Sequence, residues 1–245
     1  MQRARTRQAM LYDAGLAGLT FPVEFGGQGL SREYQQVLNE ESDPYAMPSV
    51  LGVPSIGVLG ATLLDCGDDE QRRTHIPRIL RGEEVWVQLL SEPTGGSDLA
   101  GVRMRADRDG ELWRLNGSKM WTSNVRFADW GLCLARTDWS VPKHQGLTMF
   151  MVPLDAEGIE IVDIALATGS SDFCQEFFDD VLVPAENVVG GVGAGWVVAS
   201  QLLIHERDTV GGNSMYARPQ DGGFGEDTNV VDLLTVAARR EHLDA

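Results

Sequence analysis

The sequence predicts an α+β protein in which helices come first, an antiparallel β domain follows, and further helices close the chain. Up to about Glu84, apolar residues recur at helical spacing between turn residues. From Val85 the spacing becomes that of five or six short strands with no helix between them, which favours an antiparallel sheet over a parallel α/β sheet. After Val189, a glycine-rich turn at 190–195 precedes a new helical run.

Helices are predicted over residues 3–14, 32–41, 56–66 and from 68 or 69 to 79. Gly15 and Gly67 stand where helix-ending glycines belong, and an aspartate at 68 or 69 can cap the last helix. Behind the glycine-rich turn we expect a helix from 196 to about 209, a loop over 211–225 and a short helix over 230–242.

The central strands show a period of two. Val102, Met104 and Ala106 alternate with charged residues, as in a half-buried strand. Further strands are predicted over 130–136, 147–152, 159–164 and 176–183. Asp109-Gly110 and Asn116-Gly117 are dipeptides typical of hairpin turns, so each predicts a reversal of the chain.

Composition narrows the class of partner. The formal net charge of −16 and the pI of about 4.5 disfavour nucleic acid and anionic membranes, which carry charge of the same sign. Three cysteines in no paired spacing predict a reducing compartment and neither a disulfide framework nor a zinc site. No apolar run approaches the length of a membrane span. We therefore expect a cytoplasmic protein.

Most simple catalytic motifs are missing from the sequence. His205-Glu206 lacks the second histidine of a zinc-protease helix, and no nucleophile elbow or phosphate-loop lysine occurs. The glycines at 191, 193 and 195 only loosely match a dinucleotide loop, because the third comes one place early and no β-α-β unit surrounds them. A structural turn is the better interpretation.

Two segments are more specific. QLLSEPTGGSDLAG, residues 88–101, offers open amides and hydroxyls around a glycine pair, which suits a pyrophosphate or another polar cofactor edge. KMWTSN, residues 119–124, could lay an aromatic face against a flat ring and donate a hydrogen bond to its edge. Taken singly, a plain loop and a core aromatic would explain each segment equally well.

Together the two segments resemble the acyl-CoA dehydrogenase family. Its signature is [ST]-E-P-x-[GA]-G-S-D followed further along by K-x-W-[IT]-[ST]-N, and both stand here in that order. LAGLTFPVEFGGQGLS, DDEQRRTHIPRILRGEEVWVQ and FCQEFFDDVLVPAENVVG are similar to further family segments, so the resemblance covers roughly residues 10–212.

The resemblance implies FAD as the cofactor and no metal. Trp121 would lie against the isoalloxazine ring, and Ser123 would hydrogen-bond near its reducible nitrogen. Ser97 would also touch the pantetheine arm of an acyl-CoA, with Arg207 as a second substrate contact. The full set of implied flavin contacts is Gln88, Leu90, Ser91, Gly96, Ser97, Trp121, Thr122 and Ser123.

A general base for the α-proton is implied at Glu206, which precedes an arginine in the first helix after the β domain, as in the isovaleryl- and long-chain-type members. The sequence supports this independently. At about 100° per residue, Glu206 shares one helical arc with apolar residues, namely Trp196, Ala199, Leu202, Leu203 and Val210. Burial there would raise the pKa of its carboxyl. An ion pair with Arg207, or an acid at a subunit interface, remains the alternative.

The resemblance also implies a domain organisation. Residues 1–86 would form the N-terminal helical domain, starting inside it; 87–190 the middle β domain; and 191–245 the stub of a C-terminal helical domain that is mostly missing. We therefore interpret the chain as truncated, split or degenerate, and expect it to bind FAD weakly or not at all by itself. An apolar helix face should stay exposed, formed by Trp196, Val198, Leu202 and Ile204.

The implied activity, in fatty acid or lipid metabolism, is the α,β-desaturation of an acyl-CoA with hydride transfer to FAD. Electrons would pass on to an electron-transfer flavoprotein, and the chain would work as a homo- or hetero-oligomer. One alternative is a non-catalytic or degenerate subunit that pairs with a complete dehydrogenase. A weaker one is a flavin monooxygenase of the same superfold, which the His-Glu-Arg sequence at 205–207 slightly disfavours.

Overall fold

A computed structural model describes residues 1–45, 47–167, 169 and 171–218, and the chain divides into two compact units. The helical unit comprises Met1–Ala61, Arg73–Glu83 and, among the described residues, 205–218; the β unit comprises Thr62–Arg72 and Glu84–Ile204. The helix expected over 230–242 and most of the preceding loop lie outside the described residues.

The helices largely follow the sequence predictions. They are α1 (Gln2–Asp13), α2 (Arg32–Glu41), α3 (Ser49–Leu51), α4 (Ala61–Cys66), α5 (Asp69–Arg81) and α6 (Gly195–Val210). A π-helical stretch, Gly52–Gly60, joins α3 to α4, so the predicted helix begins at Ser49 and not at Ile56. Pro54 and the glycines beside it hide this start in the sequence, because proline lacks the amide that a regular helix needs.

The start of α5 is held by a reciprocal cap in the β unit. The backbone N–H of Gln71 donates to the Asp68 carboxylate (2.8 Å), and Asp68 N–H donates to the Gln71 side-chain oxygen (3.1 Å). The Gln71 amide also donates to the carbonyls of Glu186 and Val188. This one side chain therefore ties the helix start to the end of the sheet.

The β unit contains a sheet of eight strands with the order β6-β7-β3-β2-β4-β5-β8 and β1 paired with β4. The strands are β1 (Trp86–Leu89), β2 (Arg105–Asp109), β3 (Leu112–Ser123), β4 (Trp130–Arg136), β5 (Leu147–Pro153), β6 (Ile159–Ile164), β7 (Phe173–Pro184) and β8 (Val188–Val189). The predicted α+β class with a mainly antiparallel sheet is confirmed. Two pairings, β1 with β4 and β2 with β4, are parallel.

The predicted alternation packs the core. Val102, Met104 and Ala106 are buried while the residues between them face outward. Met104 and Ala106 belong to a core cluster with side chains from most of the other strands, among them Leu89, Leu115, Phe150, Val152, Phe178 and Val183. The inner face of the sheet is therefore continuous from β1 to β7.

One turn prediction is wrong. Asp109-Gly110 does lead from β2 into β3, with Asp109 opposite Leu112. Asn116-Gly117, however, lies inside β3 at an irregularity in its pairing with β7, where Gly117 has φ 144°. Asn116 exchanges hydrogen bonds with Asp180 of β7 at 3.0 Å. The long-range partner strand keeps the chain extended through a dipeptide that elsewhere would turn.

The glycine-rich segment before α6 is a close-packed turn. Gly190, Gly191 and Gly193 have positive φ angles, and a Cβ on Gly195 would lie 2.6 Å from the backbone nitrogen of Thr148 on β5. Such an approach tolerates only hydrogen at the α-carbon. Glycine at 195 thus serves helix–sheet packing.

The apolar face expected on α6 is narrower than predicted. Val198 and Leu202 are fully buried in the molecule, whereas Val197 and Ile204 are exposed. The helix packs with the side that carries Val198 and Leu202, so this part of the prediction is wrong. Among the described residues, no helix is long and apolar enough to cross a membrane.

Candidate functional site

The two motif segments meet in the structure. The backbone N–H of Met120 donates to the carbonyl of Ser91 at 3.0 Å. The Lys119 ammonium reaches the carbonyl of Leu90 at 3.0 Å. Residues some thirty positions apart in the sequence are therefore joined by backbone and side-chain bonds at one edge of the β unit.

A buried ion pair fixes this junction. Lys119 Nζ lies 2.9 Å from Glu92 Oε1, and the two side chains are 0% and 4% exposed. The Glu92 carboxylate also accepts the backbone N–H groups of Arg103 (2.6 Å) and Met104 (2.9 Å). Charge is tolerated here because both partners are hydrogen-bonded. Neither residue was predicted from the sequence to have a role, although a lysine inside a predicted family motif was a usable signal.

A bulge in β3 turns Trp121 outward. The pairing of β3 with β7 shifts between Met120 and Thr122, and Trp121 takes a left-handed φ of 67°. A strict period of two would place Lys119, Trp121 and Ser123 on one face. The extra residue instead leaves Lys119 and Thr122 buried and Trp121 and Ser123 exposed.

The exposed indole is a strained feature. Trp121 is 50% exposed and makes an edge contact with Phe173 at a centroid distance of 6.0 Å. Asn124, just beyond, is also left-handed, with φ 62°. A bulky residue with positive φ costs about 1–3 kcal/mol and persists where the surroundings impose it, most often at functional sites.

Most of the predicted contacts are exposed or partly exposed. Ser123, Gly96 and Ser97 are exposed, and Ser91 and Gln88 are partly exposed. A Cβ on Gly96 would stand 3.7 Å from the Ser91 hydroxyl, so these two residues adjoin. Leu90 is buried, and its carbonyl is taken by Lys119.

Thr122 faces the other way. Its hydroxyl donates to Glu176 Oε2 on β7 at 2.8 Å, inside the buried region. The Thr122 hydroxyl is therefore engaged in the interior and is not available as the side-chain flavin contact that the sequence predicted. Burial raises the pKa of the Glu176 carboxyl to about 8, against the lowering effects of the Thr122 hydrogen bond, its own backbone amide and the Lys119 charge.

Glu206 and Arg207 lie near the end of α6, in the helical unit. Glu206 is partly buried and Arg207 is exposed. Of the predicted apolar arc, Ala199 and Leu202 are buried, and Val210 is exposed. The N-terminal part of this arc is thus buried, whereas its C-terminal end, at Val210, is exposed to solvent.

The residues at the junction fit a flat heteroaromatic ring with a polar edge. The indole of Trp121 offers an apolar face, and the hydroxyls of Ser123 and Ser91 offer donors beside it. The open backbone at Gly96 admits a phosphate or another polar group without a side chain in the way. These groups suit the isoalloxazine ring and the pyrophosphate of a flavin dinucleotide.

Helices, a mainly antiparallel sheet and an exposed tryptophan next to a serine- and glycine-rich segment agree with the flavin-dependent dehydrogenase class that the sequence resembles. Residues 88–181 match the acyl-CoA dehydrogenase middle domain, and residues 2–83 match the acyl-CoA dehydrogenase N-terminal domain. The chain belongs to the acyl-CoA dehydrogenase family, whose members are FAD-dependent.

Known relatives agree. Acyl-CoA dehydrogenase IpdE1 of Mycobacterium tuberculosis (strain ATCC 25618 / H37Rv) is 39% identical over 95% of this chain. The steroid ACAD Tcur3481-Tcur3483 superposes with a TM-score of 0.73 at 36% identity, over 84% of this chain and 53% of that one. The ChsE4-ChsE5 complex from Mycobacterium tuberculosis matches 98% of this chain and 65% of its own, with a TM-score of 0.69 and 29% identity. The chain spans 59% of the length of IpdE1.

Proposed function

We propose that this chain contributes the flavin platform and part of the substrate site of an FAD-dependent acyl-CoA dehydrogenase that desaturates an acyl thioester between Cα and Cβ. The observation that carries the proposal is the bulge in β3, which presents Trp121 and Ser123 outward beside the Ser91 segment. A strained aromatic exposed at this position has a ready explanation as a ring-binding surface.

Bound FAD would supply the acceptor for the hydride from Cβ. Trp121 would support one face of the ring, Ser123 would donate to its edge, and the backbone at Gln88, Leu90, Ser91 and Gly96 would border the site. Ser97 and Arg207 would contact the CoA ester. These assignments follow the family resemblance, together with the exposure of Trp121, Ser123, Gly96, Ser97 and Arg207.

Glu206 is our candidate for the base that takes the α-proton. A carboxylate is suited to this step when apolar neighbours lower the local polarity. The partial burial of Glu206 beside the buried Leu202 turn of α6 supports the choice. Glutamine at this position would keep the shape of the side chain and lose the proton acceptor.

The chain is proposed to act with more polypeptide than it contains. It spans 59% of IpdE1, and one structural relative is the ChsE4-ChsE5 complex. We propose a hetero- or homo-oligomer in the cytoplasm, consistent with its three free cysteines, with an electron-transfer flavoprotein as the electron acceptor. Because another structural relative is a steroid ACAD, steroid-derived acyl-CoA is a substrate class to test beside simple acyl-CoA.

The test is FAD binding, measured by visible absorption and flavin fluorescence. We expect weak or no binding to the chain alone, and a yellow protein when the C-terminal domain of IpdE1 is fused behind α6. In that chimera, Trp121→Ala should weaken FAD binding by about tenfold or more, since stacking on one aromatic ring is worth roughly 0.5–1.5 kcal/mol beyond the area it buries.

The matched control is Trp139→Ala, because Trp139 is also exposed but lies outside the two motif segments. It should leave FAD binding unchanged. A colourless chimera would favour the non-catalytic relic, and equal effects of the two substitutions would remove Trp121 from the flavin site.

A further inference from the structure

The bulge that exposes Trp121 is held on its buried side by the side chain of Glu176. Thr122 is the first residue after the register shift, and its hydroxyl donates to Glu176 Oε2 at 2.8 Å. Glu176 itself lies opposite Lys119, and the next pair, Met120 with Gln175, is the last regular one before the register shift. The carboxyl therefore sits between the regular part of β3 and the bulge.

The Glu176 carboxyl has one oxygen that no hydrogen bond from the described residues satisfies. The side chain is fully buried, and its Oε1 atom makes no hydrogen bond with any of the described residues. Burying a carboxyl whose oxygen lacks a hydrogen bond lowers the stability of the fold, so such a group calls for a structural or functional explanation. Valine or leucine would fill the same inward position of β7 at no such cost.

We propose that Glu176 is a positioning residue for the flavin platform: through its hydrogen bond to Thr122 it fixes the bulge in β3 and so holds Trp121 and Ser123 outward. The part that concerns flavin rests on the proposed function; the part that concerns the order of the bulge does not. Glu176 acts through Thr122 and does not itself reach the open side.

The charges around Glu176 determine its protonation state. Lys119 faces it from β3, but that ammonium already binds the Glu92 carboxylate. The thiols of Cys133 on β4 and Cys174 on β7 also interact with it, and burial raises the pKa of both. No uncommitted cation among these groups compensates a second carboxylate, so Glu176 holds its proton at neutral pH.

This makes the bulge sensitive to alkaline pH. Burial raises the pKa of Glu176 to about 8 in the folded chain. Above that value a charge appears in the core beside Thr122, and although the Thr122 hydroxyl binds the charged form more strongly, burial of the charge remains unfavourable. The strand segments around Glu176 should therefore open toward solvent more readily, and the backbone from Met120 to Ser123 should exchange faster.

The experiment uses the flavin-free chain and two readouts of the bulge. The first is amide hydrogen exchange over 119–124, corrected for intrinsic pH dependence. The second is the emission of Trp121, obtained as the difference between the chain and its Trp121→Phe counterpart. Both are followed from pH 6 to 9.5 in Glu176→Gln, Glu176→Leu and Thr122→Val.

We expect the unmodified chain to show a transition near pH 8 in both readouts. Glu176→Gln should keep the low-pH protection at every pH, because the amide oxygen still accepts from Thr122 and cannot ionise. Glu176→Leu and Thr122→Val should each speed exchange at the bulge by about tenfold, the equivalent of a net hydrogen bond near the upper end of its usual range. Combining Glu176→Leu with Thr122→Val should speed amide exchange little beyond either substitution alone.

Two controls isolate the effect. Glu160→Gln changes an exposed carboxyl on the neighbouring β6, and Thr148→Val removes a buried hydroxyl on β5 that bonds to Thr137 and Gly193. Neither should alter exchange over 119–124 or the pH transition. If Glu176→Leu fails to fold, the comparison of Glu176→Gln with Thr122→Val decides in its place.

Equal protection of the bulge in all variants, or a pH transition that survives in Glu176→Gln, would overturn the inference. The outcome is independent of the proposed function, since no flavin is present. A bulge that responds as expected in a chain whose FAD-binding chimera is colourless would leave Glu176 as a positioning residue and remove the flavin from the account.

Discussion

Breaking the buried pair between Lys119 and Glu92 should destabilise the β unit more than breaking any exposed pair. In Lys119→Met the ammonium is lost, so the Leu90 carbonyl and one bond of the Glu92 carboxylate lose their donor. Removing one partner of a buried pair costs about 3–5 kcal/mol. Because Glu92 keeps two amide donors from Arg103 and Met104, we expect the lower end, about 3 kcal/mol.

The assay is urea unfolding followed by tryptophan fluorescence. All six tryptophans lie in the β unit, so the signal reports that unit alone. With a urea dependence of about 2 kcal/mol per molar, a loss of about 3 kcal/mol lowers the midpoint by about 1.5 M. Glu92→Gln in the Lys119→Met background should restore part of this loss, because it removes the uncompensated charge.

Lys143→Met is the control for loss of a lysine. Its ammonium binds the exposed Asp98 at 2.6 Å, a contact that solvent screens. The midpoint of this variant should stay close to that of the unmodified chain. If Lys119→Met shifts the midpoint no further than Lys143→Met, the buried pair does not hold the two motif segments together.

Three further predictions concern catalysis, pH and packing. In the chimera with a completed C-terminal domain, Glu206→Gln should slow α-proton exchange of bound acyl-CoA by roughly 10²–10⁴ with unchanged flavin content; full activity would move the base elsewhere. Folding raises the pKa of Glu176 from 4.5 to about 8, so protonated Glu176 stabilises the folded chain fully below pH 4.5, and this contribution is lost as the pH rises through about 8. The free energy of unfolding should therefore fall between these two pH values in the unmodified chain and stay level in Glu176→Gln. Gly195→Ala should cost about 1–3 kcal/mol by forcing a methyl group against Thr148, whereas Gly52→Ala, with open space around it, should not destabilise the chain.

Local periodicity was enough to predict much of the fold. The predicted bounds of α2, β4 and β6 agree with the structure because their alternation or helical spacing is complete within the segment itself. The failures at Asn116-Gly117 and at the start of the helix before Ile56 have a different origin. There, pairing with a distant strand and a π-helical stretch override what the nearby residues favour.

The candidate functional site was likewise predictable from the sequence only in part. The resemblance placed Trp121 and Ser123 among the flavin contacts, and both are exposed, but it could not show that Thr122 turns inward. That orientation depends on a bulge set by β7, and a period of two read along β3 places Trp121 on the wrong face. The partnership of Thr122 with Glu176 crosses more than fifty residues of sequence and carries no local signal.

The bulge has a consequence for the thermodynamics of ligand capture. The sheet fixes the backbone of Trp121 during folding, so the unfavourable conformation is formed before any ring arrives. A planar ligand that stacks on the indole then orders little further chain, and binding should carry a small entropic penalty from the protein side. Loosening the anchor would move that ordering into the binding step, with weaker affinity and a larger favourable enthalpy as its calorimetric signature.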